Sequence, residues 1–142
     1  MAATTITVPF QYAASNAFVG PLPANANETV VLTTPLMNIP AGSILGIYWM
    51  FSYTPGTSNT SAKFNIRQGA TASGALVNNG TLQGPVTAAV NALFSGMYYD
   101  TLAPANGIQY SLTIQQIAAT GAGTFLDGCL IIEVMQRTAT LS

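Results

Sequence analysis

From residue 44 onward, apolar and polar residues alternate with a period of two, and clusters of Gly, Pro, Asn and Ser interrupt them about every ten residues. That rhythm predicts strands. In Ala62-Lys63-Phe64-Asn65-Ile66-Arg67, Phe64 and Ile66 fall on one face and Lys63, Asn65 and Arg67 on the other, as expected for a strand with a buried and a wet side. Residues 109–115 repeat the pattern, with Tyr110, Leu112 and Ile114 inward. Residues 44–53 depart from it. Leu45, Ile47, Trp49, Phe51 and Tyr53 share one face, yet the opposite face still carries Ile44, Tyr48 and Met50.

The last strand, over 124–137, is similarly apolar on both sides. Leu130, Ile132 and Val134 lie on one, and Phe125, Cys129, Ile131 and Met135 on the other, interrupted by Asp127 and Glu133. An antiparallel strand with two apolar faces needs cover for the second, from a neighbouring subunit or from the N-terminal segment of the same chain. Tyr48, Met50, Ile131 and Met135 are the candidate subunit-interface residues.

The first 43 residues differ in texture. Thr4-Thr5-Ile6-Thr7-Val8 and Thr29-Val30-Val31-Leu32-Thr33 read as short strands, and the Pro-containing stretch 20–27 between them as an extended arm that docks on a sheet edge. Residues 1–43 are thus expected to form an arm with the first strands, and 43–142 the body of a single domain. Loops are expected at 55–61, 69–74 and 118–123, with a tight hairpin at Asn78-Asn79-Gly80. In 86–94, alternation and β-branched residues favour a strand over the short helix that the alanines allow. Roughly eight strands with Gly-rich turns predict an all-β fold, an antiparallel two-sheet sandwich or jelly roll with an extended N-terminal arm.

Charge narrows the functional classes. Three basic residues (Lys63, Arg67, Arg137) stand against four acidic ones (Glu28, Asp100, Asp127, Glu133), there is no histidine, and 49% of the chain is hydrophobic. A soluble monomer places roughly a quarter of its residues in Asp, Glu, Lys and Arg, so a chain with 5% charged residues and a net charge of -1 is expected to live against other protein. The alternative is a secreted monomer coated with hydroxyl and amide groups. General acid–base catalysis needs a His or grouped carboxylates and lysines, so no enzyme activity is expected; the nearest approach to a site would be Asp100 or Asp127 meeting Glu133. No cofactor or metal is implied. Cys129, the one cysteine, lies among apolar residues and reads as a small buried hydrophobe. Three basic residues cannot neutralise a phosphate backbone, which argues against nucleic acid as a partner. The start of the chain lacks the basic region and apolar core of a signal peptide, and the longest apolar run, 44–51, is too short to cross a bilayer as a helix; no membrane partner is expected. Three Asn-X-Ser/Thr matches, at Asn27, Asn59 and Asn79, read as turn chemistry.

The runs 43–51, 63–77 (with Ile66-Arg67-Gln68-Gly69 and a Thr/Ser/Gly turn), 110–114 and Gly121-Ala122-Gly123-Thr124-Phe125 leading into a final apolar strand resemble small jelly-roll subunits of bacteriophage particles, over roughly residues 43–137. The resemblance implies a head-decoration (cement) or minor capsid protein of tumour-necrosis-factor-like architecture. It also implies a homotrimer on the virion surface, with itself and a major capsid protein as partners. A longer, charged lattice-binding tail, present in some such proteins, is missing here, which leaves the attachment site open. A second reading is a spike or fibre head whose polar loops at 57–60 or 71–73 bind a host glycan, with Tyr53, Tyr98 and Tyr99 as stacking candidates, although the Tyr98-Tyr99-Asp100 run reads more simply as core or turn.

Overall fold

The computed structural model describes residues 10–16, 19–23, 27–39, 43–58, 61–87, 90–100, 106–117 and 120–136. Eleven strands and no helix occur among them: β1 Phe10–Asn16, β2 Val19–Leu22, β3 Thr29–Thr33, β4 Met37–Asn38, β5 Ser43–Thr54, β6 Ser61–Gln68, β7 Ala75–Pro85, β8 Ala92–Asp100, β9 Asn106–Ile108, β10 Tyr110–Ile117 and β11 Gly123–Gln136. The first sheet runs β1-β11-β5-β8, with β2 also on β11; the second runs β3-β10-β6-β7; β4 and β9 form a small third pair. All pairings are antiparallel. Among the eight main strands only β6 and β7 are consecutive within one sheet. Every other step crosses between sheets, which is jelly-roll winding and makes the molecule the expected β-sandwich.

The strict alternation of β5 fixes the core. Leu45, Ile47, Trp49, Phe51 and Tyr53 point between the sheets and are buried, as are Leu130, Ile132 and Val134 of β11 and Tyr110, Leu112 and Ile114 of β10. Phe64 of β6 reaches across to the first sheet, its ring centroid 4.9 Å from that of Phe51, 4.6 Å from Phe94 and 5.9 Å from Tyr53. Trp49 lies over Gly96, where a Cβ would stand 2.2 Å from its indole, so the glycine on β8 is the space the tryptophan fills.

Three expectations are corrected. Phe125 is fully buried in the core instead of facing outward with Cys129 and Ile131, because the register against β5 shifts between Phe125 and Asp127 and a bulge exchanges the faces. Asn78-Asn79-Gly80 is not a hairpin. Leu76 pairs with Arg67 and Thr81 with Asn65, so these three residues are an excursion within β7. The strand expected over 86–94 begins at Ala92 and continues to Asp100. The strand expected over 4–8 lies outside the described residues. The segment before residue 43 supplies β1 and β2 to the side of β11 away from β5, and β3 to the side of β10 away from β6, so N-terminal segments form the margin of each sheet there.

Gln116, on β10, ties the N-terminal part to the sandwich. Its buried Oε1 accepts from the Tyr53 hydroxyl at 2.9 Å and the Gly56 N–H at 2.7 Å, while Nε2 donates to the carbonyls of Leu22 at 3.2 Å and Pro23 at 2.9 Å. Gly56 is packed so closely on Gly121 that a Cβ would stand 1.9 Å from its carbonyl oxygen. Replacing a buried amide strands its partners without water, at about 1–3 kcal/mol for each group left unpaired. Gln116→Ala is expected to destabilise the chain by about 3 kcal/mol in urea unfolding, whereas Ser95→Ala on the exposed edge should stay within about 0.5 kcal/mol.

Candidate functional site: the outer face of the first sheet

Alternation that sends odd residues of β5 inward sends even ones outward, and the same holds in reverse on β8. Register then assembles one surface from three strands. Tyr48 stands opposite Ile131 on β11 and Met97 on β8, Met50 opposite Cys129 and Ser95, and Ile44 opposite Met135. The four candidate interface residues, Tyr48, Met50, Ile131 and Met135, therefore share one face. Met50 is 50% exposed, Met97 56%, Tyr99 50% and Leu93 70%, so no described segment covers its β5–β8 side. β1 and β2 pair with β11 and extend the sheet in its own plane. Six residues of rise along β5 and two strand spacings enclose an apolar patch on the order of 200 Å² that is contiguous across three strands.

Leu93 and Met97 were not among the sequence candidates, and Tyr99 was one only as a glycan-stacking residue. Their signal is the alternation 93, 95, 97, 99, diluted by Ser95 and Gly96. Tyr98 packs inward against the core, and Asp100 is buried, accepting from the Tyr110 hydroxyl at 3.3 Å; burial and that carboxylate push the Tyr110 phenol well up.

Within the patch lies one polar constellation. Glu133 on β11 and Tyr99 on β8 flank Gly46 from opposite sides, and the Tyr48 ring leans back over Gly46, where a Cβ would stand 2.9 Å from its Cε2. The Tyr48 side chain thus lies between Tyr99 and Glu133 on the flanking strands. Desolvation, then the neighbouring Tyr99 and Glu133, raise the Tyr48 phenol above its ordinary value.

The carboxylates do not converge on a catalytic pair. Asp100 is inside the sandwich, while Asp127 and Glu133 lie six residues apart along β11, about 20 Å. No group of three or more His, Cys, Asp or Glu that could hold a metal occurs among the described residues. Cys129 is half-buried on the outer face beside Met50 rather than in the core.

The outer face of the second sheet, expected to be wet, is instead covered at its centre by a side chain from the N-terminal segment. Glu28 lies over it, Oε1 accepting from Asn65 Nδ2 at 2.7 Å and Arg67 Nη2 at 2.5 Å, and Oε2 from Arg67 Nε at 2.5 Å and Thr113 Oγ1 at 3.0 Å. Asn65, Ser111 and Thr113 are buried beneath this bidentate pair. The Arg67 hydrogen bonds hold the Glu28 carboxyl below the usual carboxylate range against the opposing effect of burial.

No protein-family model and no curated protein matches the sequence. Among solved structures, a chain of infectious bursal disease virus, Gx strain, is similar in fold, with a TM-score of 0.58 at 14% identity over 94% of this chain and 35% of the other. The present chain thus spans about a third of that viral chain's length. A Gt-strain chain of the same virus superposes with a TM-score of 0.48 at 12% identity, over 93% of this chain and 37% of the other. A chain of the disulfide-linked pili of Bacillus endospore appendages gives a TM-score of 0.39 at 15% identity, over 96% of this chain and 100% of the other.

The Glu28 pair has a pH signature. Its carboxyl titrates lower folded than unfolded, so the stabilisation is complete above the unfolded value of about 4.3 and is lost as pH falls through the folded value. Glu28→Gln is expected to cost about 2 kcal/mol at neutral pH and to flatten the decline in urea midpoint below about pH 5. An unchanged slope in the variant would show that Glu28 is not linked to folding.

Proposed function

We propose that this chain is a structural subunit of a virus particle, acting through protein–protein contacts, with the outer face of the first sheet as the surface its neighbours bury. The carrying observation is that face itself: Met50, Met97, Tyr99 and Leu93 stand at least half exposed in a chain with 5% charged residues. Such a patch is a liability on a free monomer and ordinary inside an assembly. The shared fold with a chain of infectious bursal disease virus supports the particle setting. Jelly-roll winding fits the finer reading, a homotrimeric capsid decoration or cement protein of a bacteriophage that sits on the capsid surface against a major capsid protein. A non-catalytic role is part of the proposal, supported by the dispersal of Asp100, Asp127 and Glu133 and the neutralisation of Glu28 by Arg67.

Glycan binding by a spike or fibre head loses its aromatic platform. Tyr53 is fully buried, Tyr98 packs on the core, and Tyr99 stands opposite Gly46 on the first sheet, whereas the 71–73 loop joins two strands of the second.

Wild-type protein is expected to sediment as an oligomer, three copies on the finer reading, at micromolar concentration. Met50→Asp or Ile131→Asp places a charge in the buried patch and should weaken association by a hundredfold or more, about 3 kcal/mol, with the circular dichroism spectrum unchanged. A wild-type chain that remains a monomer at micromolar concentration overturns the proposal.

A further inference from the structure

Resting on the assembly reading above, the charge distribution defines what a second copy brings to this face. Glu133 sits in the patch between Ile131 and Met135 on its strand, opposite Gly46 and beside the Tyr48 ring that leans over it, and no cation pairs with it among the described residues. Burying a carboxylate in an apolar contact without a cation costs several kcal/mol, because two neutral hydroxyls do not replace its lost hydration. Two copies packed through the same face would add a second Glu133 to that buried zone. The occupant must therefore carry a positive charge and present it from a different surface.

The chain holds three candidates. Arg67 is committed to Glu28 by two hydrogen bonds. Arg137 lies outside the described residues, next to the end of the strand that carries Glu133. Lys63 is on the outer side of β6, opposite Gln115 on β10 and Gln83 on β7, partly exposed and in no ion pair among the described residues. Its four-carbon stem can lie along methionine and aromatic surface while the ammonium reaches a carboxylate beyond them.

We infer that the first-sheet face of one copy receives Lys63 from the second sheet of the next, the ammonium seated against Glu133 and the hydroxyls of Tyr48 and Tyr99. Such a contact joins two different surfaces and is head-to-tail. Repeated with a closing rotation it makes a ring, and without closure a filament. The free carboxylate and the free ammonium, at opposite outer faces of one sandwich, then play the part of plug and socket.

The test is a charge exchange read by sedimentation equilibrium, with thermal melts confirming that each variant folds. Glu133→Lys and Lys63→Glu are each expected to raise the dissociation constant at least 30-fold, and the double exchange to return it to within about fivefold of wild type. Glu133→Gln, a milder change, should also weaken association. Two single exchanges without effect on an assembled wild type would overturn this pairing, and would leave the assembly reading standing if Met50→Asp still dissociates the oligomer. Tighter association of Glu133→Gln would overturn it in favour of face-to-face packing, and disruption by Arg137→Glu but not by Lys63→Glu would assign the cation elsewhere. A monomeric wild type would instead remove the assembly reading itself.

Discussion

The sandwich depends on Phe64 meeting Phe51, Phe94 and Tyr53 across the gap between the sheets. Phe64 belongs to the second sheet and its three partners to the first, and their contact sets the spacing and relative position of the two layers. Phe125 stacks on Phe51 from the β11 side, at 6.0 Å, so the cluster also draws the last strand into place. Because side chains alternate, a slip of one residue on β5 would withdraw Phe51 and Tyr53 and thrust Tyr48 and Met50 inward. Burial of such rings, at roughly 1.5–3 kcal/mol each, makes that slip prohibitive. The identity of the outer face follows from it.

The two outer faces solve one problem differently. On the second sheet, the polar groups of β6 and β10 are closed over by the Glu28–Arg67 pair, which satisfies Asn65 and Thr113 within the chain. That face carries its own lid. On the first sheet the outward residues are methionines, tyrosines and branched aliphatics that no part of the described chain caps. One side closes over its buried polar groups from within the chain, and the other leaves its apolar groups to a neighbour.

The long strands were legible because large apolar side chains recur at every odd position from 45 to 53 of β5 and at 110, 112 and 114 of β10, which fixes the core face of each. What escaped the sequence was long-range or turned on a single extra residue. Nothing local to Ala62–Arg67 announces that Glu28 will arrive to cover it, so an apparently wet face is largely dry. Phe125 carries the parity of Cys129 and Ile131 in the sequence, and only the bulge before Asp127 moves it to the other side. The β1 segment Phe10–Asn16, with Ala13-Ala14 at its centre, has little alternation of its own and becomes a strand through its partner β11. The candidate patch was half legible. Tyr48, Met50, Ile131 and Met135 came from strands apolar on both faces, while the β8 contribution was hidden by Ser95 and Gly96.

The excursion of Asn78-Asn79-Gly80 has a consequence for how the chain can vary. β7 is an edge strand, and its ladder with β6 resumes at Thr81 after three residues that have no counterpart on the facing strand. Closing a longer loop costs only fractions of a kcal/mol for each few residues added. Lineages of this protein, or a designer displaying a foreign epitope, have room to lengthen that stretch while the sandwich keeps its register.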